Sequence, residues 1–157
     1  MIRINRQIID ITIDKARKSP RKRMNYNFHS DESAIVQRML NVIEPGTYIR
    51  PHKHQDPDKN EVFILLSGKA LVLEFSDEGN ITEKYILDPT TEDYGAEIGP
   101  GVFHTIIALA QDTVAYEVKE GPYLPATVKQ FAIWAPEEGS EEVEDYLKKL
   151  IELSNQT

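Results

Sequence analysis

The feature that most constrains this chain is its rhythm of short apolar runs cut by turn residues. The stretches 35–43, 61–66, 69–75, 81–87, 102–108 and 113–119 are rich in Val, Ile, Leu, Phe and Tyr. Between them stand Glu44, Pro45 and Gly46, then Gly68, then Asp77, Glu78, Gly79 and Asn80, then Gly99, Pro100 and Gly101. β-Branched and aromatic residues suit a pleated, half-buried strand. Many such runs between Gly, Pro and Asp turns point to an all-β barrel or double-sheet sandwich. The turn 77–80 between 69–75 and 81–87 marks a hairpin, with Gly and Asn supplying the unusual backbone angles. At 157 residues, the chain fits one domain with a single good core.

Alternation along strands then places the chemistry. In an extended run, His52 and His54 share one face, about 7 Å apart, close enough to converge on one ion. Glu61 shares a face with Phe63 and Leu65, where a carboxylate is expensive to bury without a partner. His104 shares a face with Ile106 and Ala108. Three of the chain's four histidines therefore fall in two strand segments. Histidine alternation by itself also describes exposed imidazoles, and Glu61 by itself also describes a surface carboxylate; the conjunction is what points to a metal. Three imidazoles and one carboxylate, without thiolate, suit one divalent ion such as Fe, Mn, Ni, Co, Zn or Cu. Asp56 and Asp58 are rival carboxylates in a polar loop and rank below Glu61.

Other segments offer ligand contacts. Arg21, Lys22 and Arg23 form a dense basic cluster, and Asn25, Asn27 and His29 alternate after it. The plain reading is a charged edge strand that blocks unwanted pairing. The functional reading has Arg21, Arg23, Asn25 and Asn27 holding an anionic group of a small molecule. Gln37, Met39, Asn41 and Ile43 share one strand face; Arg38, Leu40 and Val42 share the other. Tyr48 lies on the ligand side if the strand is regular over 48–54, which makes it a candidate proton donor; a core or rim tyrosine is the alternative. Lys119, with Glu117, is a candidate at the barrel mouth.

The motifs resemble those of the cupins, whose first reads G-x5-H-x-H-x(3,4)-E-x6-G. Gly46, His52, His54, Glu61 and Gly68 match it, with six residues (QDPDKN) between His54 and Glu61. Of the second, G-x5-P-x-G-x2-H-x3-N, Gly101 and His104 match, while Gly99 and Ala108 stand where Pro and Asn are expected. The first Gly of that motif falls on Asp93, with Gly95 nearby. More narrowly, the chain is similar to the WbuC family of cupin-fold metalloproteins. That likeness lies in Gln37 to Leu40, Glu44 to His52, Glu117 to Tyr123 and Phe131 to Gly139, and it extends over most of 21–139. The resemblance implies a double-stranded β-helix (jelly-roll) barrel and a role in bacterial surface-polysaccharide synthesis. It also implies a homodimer. The expected activity is isomerisation or epimerisation of a sugar or sugar nucleotide. A metal-dependent binding or sensing module without chemistry is the alternative, and an iron-dependent dioxygenase a third reading.

Composition narrows the partners. A net charge of −8 argues against unspecific nucleic-acid or acidic-membrane binding. There is no cysteine, hence no disulfide or thiolate ligand. No apolar run approaches the roughly 20 residues that span a bilayer, and the first residues lack a signal-peptide pattern. The expectation is a cytoplasmic protein that takes a small molecule.

The ends complete the expected organisation: an N-terminal extension over 1–30, a barrel over 31–122, and a C-terminal extension over 123–157. A short strand is expected at 2–4 and a helix, with Asp10 as candidate cap, to Lys18, where Ser19 and Pro20 stop it. Residues 88–97 read as a polar loop. Residues 121–125 break the sheet pattern. Ser140 is expected to cap a helix over about 140–153, whose stripe of Val143, Tyr146, Leu147 and Leu150 docks on the sheet.

Overall fold

The computed structural model describes residues 1–123 and 129–154. Two five-stranded antiparallel sheets carry the architecture. The first is ordered β1 (Arg23–Asn27), β2 (Val36–Ile43), β9 (Thr113–Glu120), β4 (Glu61–Ser67), β7 (Gly95–Ile98). The second is ordered β10 (Gln130–Phe131), β3 (His52–Lys53), β8 (Phe103–Ala108), β5 (Ala70–Phe75), β6 (Ile81–Leu87). The expected jelly-roll barrel is what the chain forms. Its lumen holds Ile43, Phe63, Leu65, Val72, Ile106 and Ala115, drawn from both sheets. Their burial excludes water from the space between the sheets, the main driving force for closing such a barrel.

The outer faces are covered by two helices. Helix α1 (Arg6–Lys18) lays Ile9, Ile13 and Ala16 over Leu40, Val42 and Val114. Those isoleucines serve the helical period, and Ile11 is left exposed. The expected strand at 2–4 is absent: those residues are exposed with no strand to pair. Asn5, not Asp10, caps the helix, its side chain accepting from the Ile8 amide at 3.1 Å. Helix α2 (Val143–Ser154) sets Leu147 and Leu150 on Leu71, Leu73, Phe75 and Ile107, with Trp134 alongside. It starts later than the Ser140 cap implies, because a turn closed by the Val143 amide on the Ser140 carbonyl precedes it.

The polar stretch 88–97 also differs from the expected loop. A short 3-10 turn (Pro89–Thr91) leads into β7, which pairs with β4. The pairing needs Gly95, since a Cβ there would stand 2.3 Å from the Phe63 carbonyl oxygen. The break at 121–125 begins with a cis peptide at Gly121-Pro122. Residues 124 and 125 lie outside the described ones.

Candidate metal centre

Register fixes which side chains meet. Across the first sheet, Gln37, Lys119, Glu61 and Ile98 stand opposite one another in sequence, one rung of the ladder. The next rung on that face runs Asn27, Met39, Glu117, Phe63, Ala96, and the one after it Asn25, Asn41, Ala115, Leu65. Cross-strand neighbours share a face. The lumen side of this sheet is thus polar toward β1 and β2 and apolar toward β4 and β7. In the second sheet His52 stands opposite His104, and Glu61 reaches them across the barrel.

The four side chains His52, His54, Glu61 and His104 close into one buried group. A ligand atom from each lies within 4.8 Å of all the others. His104 Nε2 is 2.8 Å and His54 Nε2 3.1 Å from Glu61 Oε2. His52 and His104 each place Nδ1 2.9 Å from a backbone carbonyl, of Arg50 and Val102 respectively. A carbonyl only accepts, so each Nδ1–H donates to it, and each ring turns its Nε2 edge toward the cluster. Burial first, and then Lys129 and the neighbouring histidines, hold His52 well below the ordinary histidine pKa, which keeps it neutral.

A cation fits this group by its donor set: three imidazoles and one carboxylate, all buried, with a ligand atom of each within 4.8 Å of the others, are the donors that borderline divalent ions take. Glu61 is ionised. Burial pushes its carboxyl up, but Lys119 and the hydrogen bonds of His104 and His54 outweigh it and bring it well below the usual range.

Beside this group lies a cavity of about 510 Å³. Arg21, Arg23, Asn25, Asn27 and Lys119 all line it. The four cluster residues are not among its lining, and Lys119 is the bridge: its Nζ is 3.3 Å from Glu61 Oε1 and 3.6 Å from Glu117 Oε1. Burial draws the Lys119 ammonium down, yet Glu61 and Glu117 together carry it above the usual lysine value. Burial and then the Glu61 charge push Glu117 up to about 7. Asn41 Nδ2 donates to Glu117 Oε2 at 2.8 Å.

Two expectations change at residue level. The backbone over 47–50 forms no strand, so the regular alternation that would aim Tyr48 at the histidines does not exist. Its hydroxyl instead donates to the Pro136 carbonyl at 2.9 Å, edge-on to Tyr146 of α2. Tyr48 thus faces the C-terminal cover, where burial holds its phenol protonated. Arg23 lines the cavity, but its guanidinium already bonds the Tyr48 carbonyl and both Glu138 oxygens. His29 also lines the cavity, with Nδ1 3.0 Å from the Arg38 carbonyl. Sequence reasoning missed Lys129, an isolated lysine ahead of the two-residue strand β10, which also lines the cavity.

Residues 4–87 match a family model described as a domain of unknown function (DUF6016). No curated protein matches the sequence. Among solved structures, the chain is similar to the capsular polysaccharide assembling protein CapF from Staphylococcus aureus. The match has a TM-score of 0.55 at 19% identity and covers 69% of this chain and 32% of that one. It is also similar to the Lactobacillus farciminis oxalate decarboxylase formate complex (TM-score 0.47, 15% identity, 62% of this chain and 26% of that one). A third is the Schizosaccharomyces pombe Cnp3 cupin domain (TM-score 0.46, 14% identity, 61% and 62%). The chain thus spans about a third of CapF and a quarter of the decarboxylase. The likeness to CapF speaks to the fold alone, the two-sheet jelly-roll barrel described above.

Proposed function

This chain belongs to the DUF6016 family, and from its cupin barrel we propose a metal-binding protein that acts on a sugar or sugar nucleotide. The observation that carries the metal is the Glu61 carboxylate set against the inward Nε2 atoms of His54 and His104. His52, His54, Glu61 and His104 would hold one divalent transition ion. When bound, such an ion supplies Lewis acidity toward a hydroxyl or carbonyl oxygen.

The remaining work falls to the chain itself. Lys119 holds Glu61 ionised and aimed, and it orders Glu117 at the boundary between cluster and cavity. The apolar half of the lumen, with Phe63 and Ile106, excludes water and strengthens every polar contact made there. Arg21, Asn25 and Asn27 line the wall at which a substrate enters. Isomerisation or epimerisation is the reaction proposed, within bacterial surface-polysaccharide synthesis. That role is supported by the residue resemblance to the WbuC family. The fold shared with a capsular polysaccharide assembling protein is consistent with it. A cytoplasmic location and a homodimer belong to the same proposal.

Elemental analysis of untagged protein tests the ligand set. The wild-type chain is expected to hold about one equivalent of metal and His104→Ala to lose most of it. Equal metal content in the two would overturn the assignment. Nucleotide sugars screened by thermal shift and then by NMR separate the chemistry: turnover is expected. A shift without turnover would leave a binding or sensing module, and oxygen uptake by the iron-loaded protein would mark a dioxygenase.

A further inference from the structure

The cavity beside the cluster is wired for a ligand with two distinct features. Asn41 is 7% exposed and sits between β1 and β9. Its amide nitrogen donates to Glu117 Oε2 at 2.8 Å. Its Oδ1 therefore points elsewhere, and it is a buried acceptor with no hydrogen-bond partner among the described residues. An orphan of this kind carries a desolvation penalty until a donor arrives. On the same cavity stands Lys129, which makes no hydrogen bond or ion pair among the described residues; it feels the charges of Lys119, Glu61, Glu117 and Arg23, but both carboxylates are already paired with Lys119. The other cations of this wall are already engaged, Lys119 by Glu61 and Glu117 and Arg23 by Glu138. Arg21, exposed at the rim, also makes no ion pair among the described residues.

The missing groups are thus one donor for Asn41 and one anion for Lys129. A bare anion satisfies only the second, and a neutral sugar only the first. We infer that the cavity takes a hydroxylated anion, a sugar acid or sugar phosphate, with a hydroxyl donating to Asn41 Oδ1 and the charged group on Lys129. This rests on the small-molecule reading above, but it assigns a substrate class and two residues that the metal assignment does not need. Gln37, whose amide nitrogen is tied to the Glu32 and Ala34 carbonyls, and Met39 frame the same wall without supplying charge.

The test is calorimetric binding of D-glucuronate, glucose 1-phosphate, D-glucose, acetate and inorganic phosphate to the full chain. Wild type, Lys129→Met, Lys129→Arg and Asn41→Leu are compared, with metal content measured in each. At least one charged sugar is expected to bind about tenfold or more tighter than glucose and than either bare anion. The preferred one, carboxylate or phosphate, identifies the anion. Lys129→Met should abolish the advantage over glucose and Lys129→Arg should keep it, both with wild-type metal content. Asn41→Leu should abolish the advantage over the bare anion. Glucose binding as tightly as both charged sugars, an unchanged preference in Lys129→Met, or no binding of any probe would overturn the proposal. A charged-sugar preference in a chain that holds no metal would sustain this inference and sink the metal reading instead.

Discussion

Lys59 shows how much one side chain in a polar loop can decide. It belongs to the six residues that lengthen the connection between His54 and Glu61. Asp56 and Asp58 of that loop are exposed, whereas Lys59 is 2% exposed. Its ammonium donates to the carbonyls of Pro122 at 2.6 Å and Glu120 at 3.1 Å. Next to it, the Asn60 amide and side chain both donate to the Glu120 carboxylate, at 2.6 and 2.8 Å. The loop is thus clamped to the end of β9 one residue before Glu61 begins β4. Lys59→Met keeps the stem but leaves two carbonyls unpaired. A hydrogen bond from a charged group is worth about 1.5–3 kcal/mol, so a stability loss of about 2–3 kcal/mol is expected. A lower urea midpoint with an unchanged denaturant slope would show it. Weaker metal retention should accompany the loss, because the Glu61 carboxylate loses its anchor.

At the scale of elements, Gly68 closes the strand that carries Glu61 and turns the chain into β5. Its φ is +81°, and a Cβ there would lie 2.5 Å from the Thr113 Cα. The same corner is tied by Ser67 Oγ on the Asp112 carbonyl at 3.0 Å and the Lys69 amide on Thr113 Oγ1 at 3.2 Å. Gly68→Ala therefore meets both a left-handed backbone and a fixed main chain. A loss of about 2 kcal/mol or more is expected in thermal or urea melts, and a change under about 0.5 kcal/mol would contradict it. This corner also shows what could be read from residues. Long strands announced themselves because two-residue alternation is strong over six or more positions, as in β2, β4 and β8. The same alternation put Glu61 and His104 among lumen residues. Weak or competing patterns say less. Ile9, Ile11 and Ile13 also alternate like a strand, but the expected helix to Lys18 is what forms, its buried face set by helical spacing. β7 was hidden because its polar, glycine-containing sequence reflects a close backbone approach that only the fold reveals. Tyr48 failed since alternation was extended into irregular backbone. Lys129 carried no local signal: only tertiary structure brings 129 to the cavity.

For the whole molecule, the question is what the proposed ion adds to a barrel that already has packing of its own. One core cluster fills the lumen, and two more seal α1 and α2 to the outer faces. The fold should therefore survive without metal. The candidate ligands, however, come from both sheets: Glu61 from the first, His52 and His104 from the second. An ion there ties the sheets across the lumen and is held by the folded state alone. Linkage then sets the size of the effect: at a free metal concentration of 100 times Kd, stabilisation is about 2.7 kcal/mol. For a domain near this length, 1 kcal/mol moves Tm by about 2–4 °C. Chelation is thus expected to lower Tm by about 5–10 °C with little change in far-ultraviolet circular dichroism. Restoring the metal should reverse it. His104→Ala should melt at the same temperature with and without chelator, because the site no longer closes. Acid should shrink the metal-dependent part of Tm, since protons compete for the imidazole nitrogens. A wild-type Tm indifferent to chelator and to added metal would mean that no ion spans the sheets, and that Lys119 alone compensates the buried Glu61 charge.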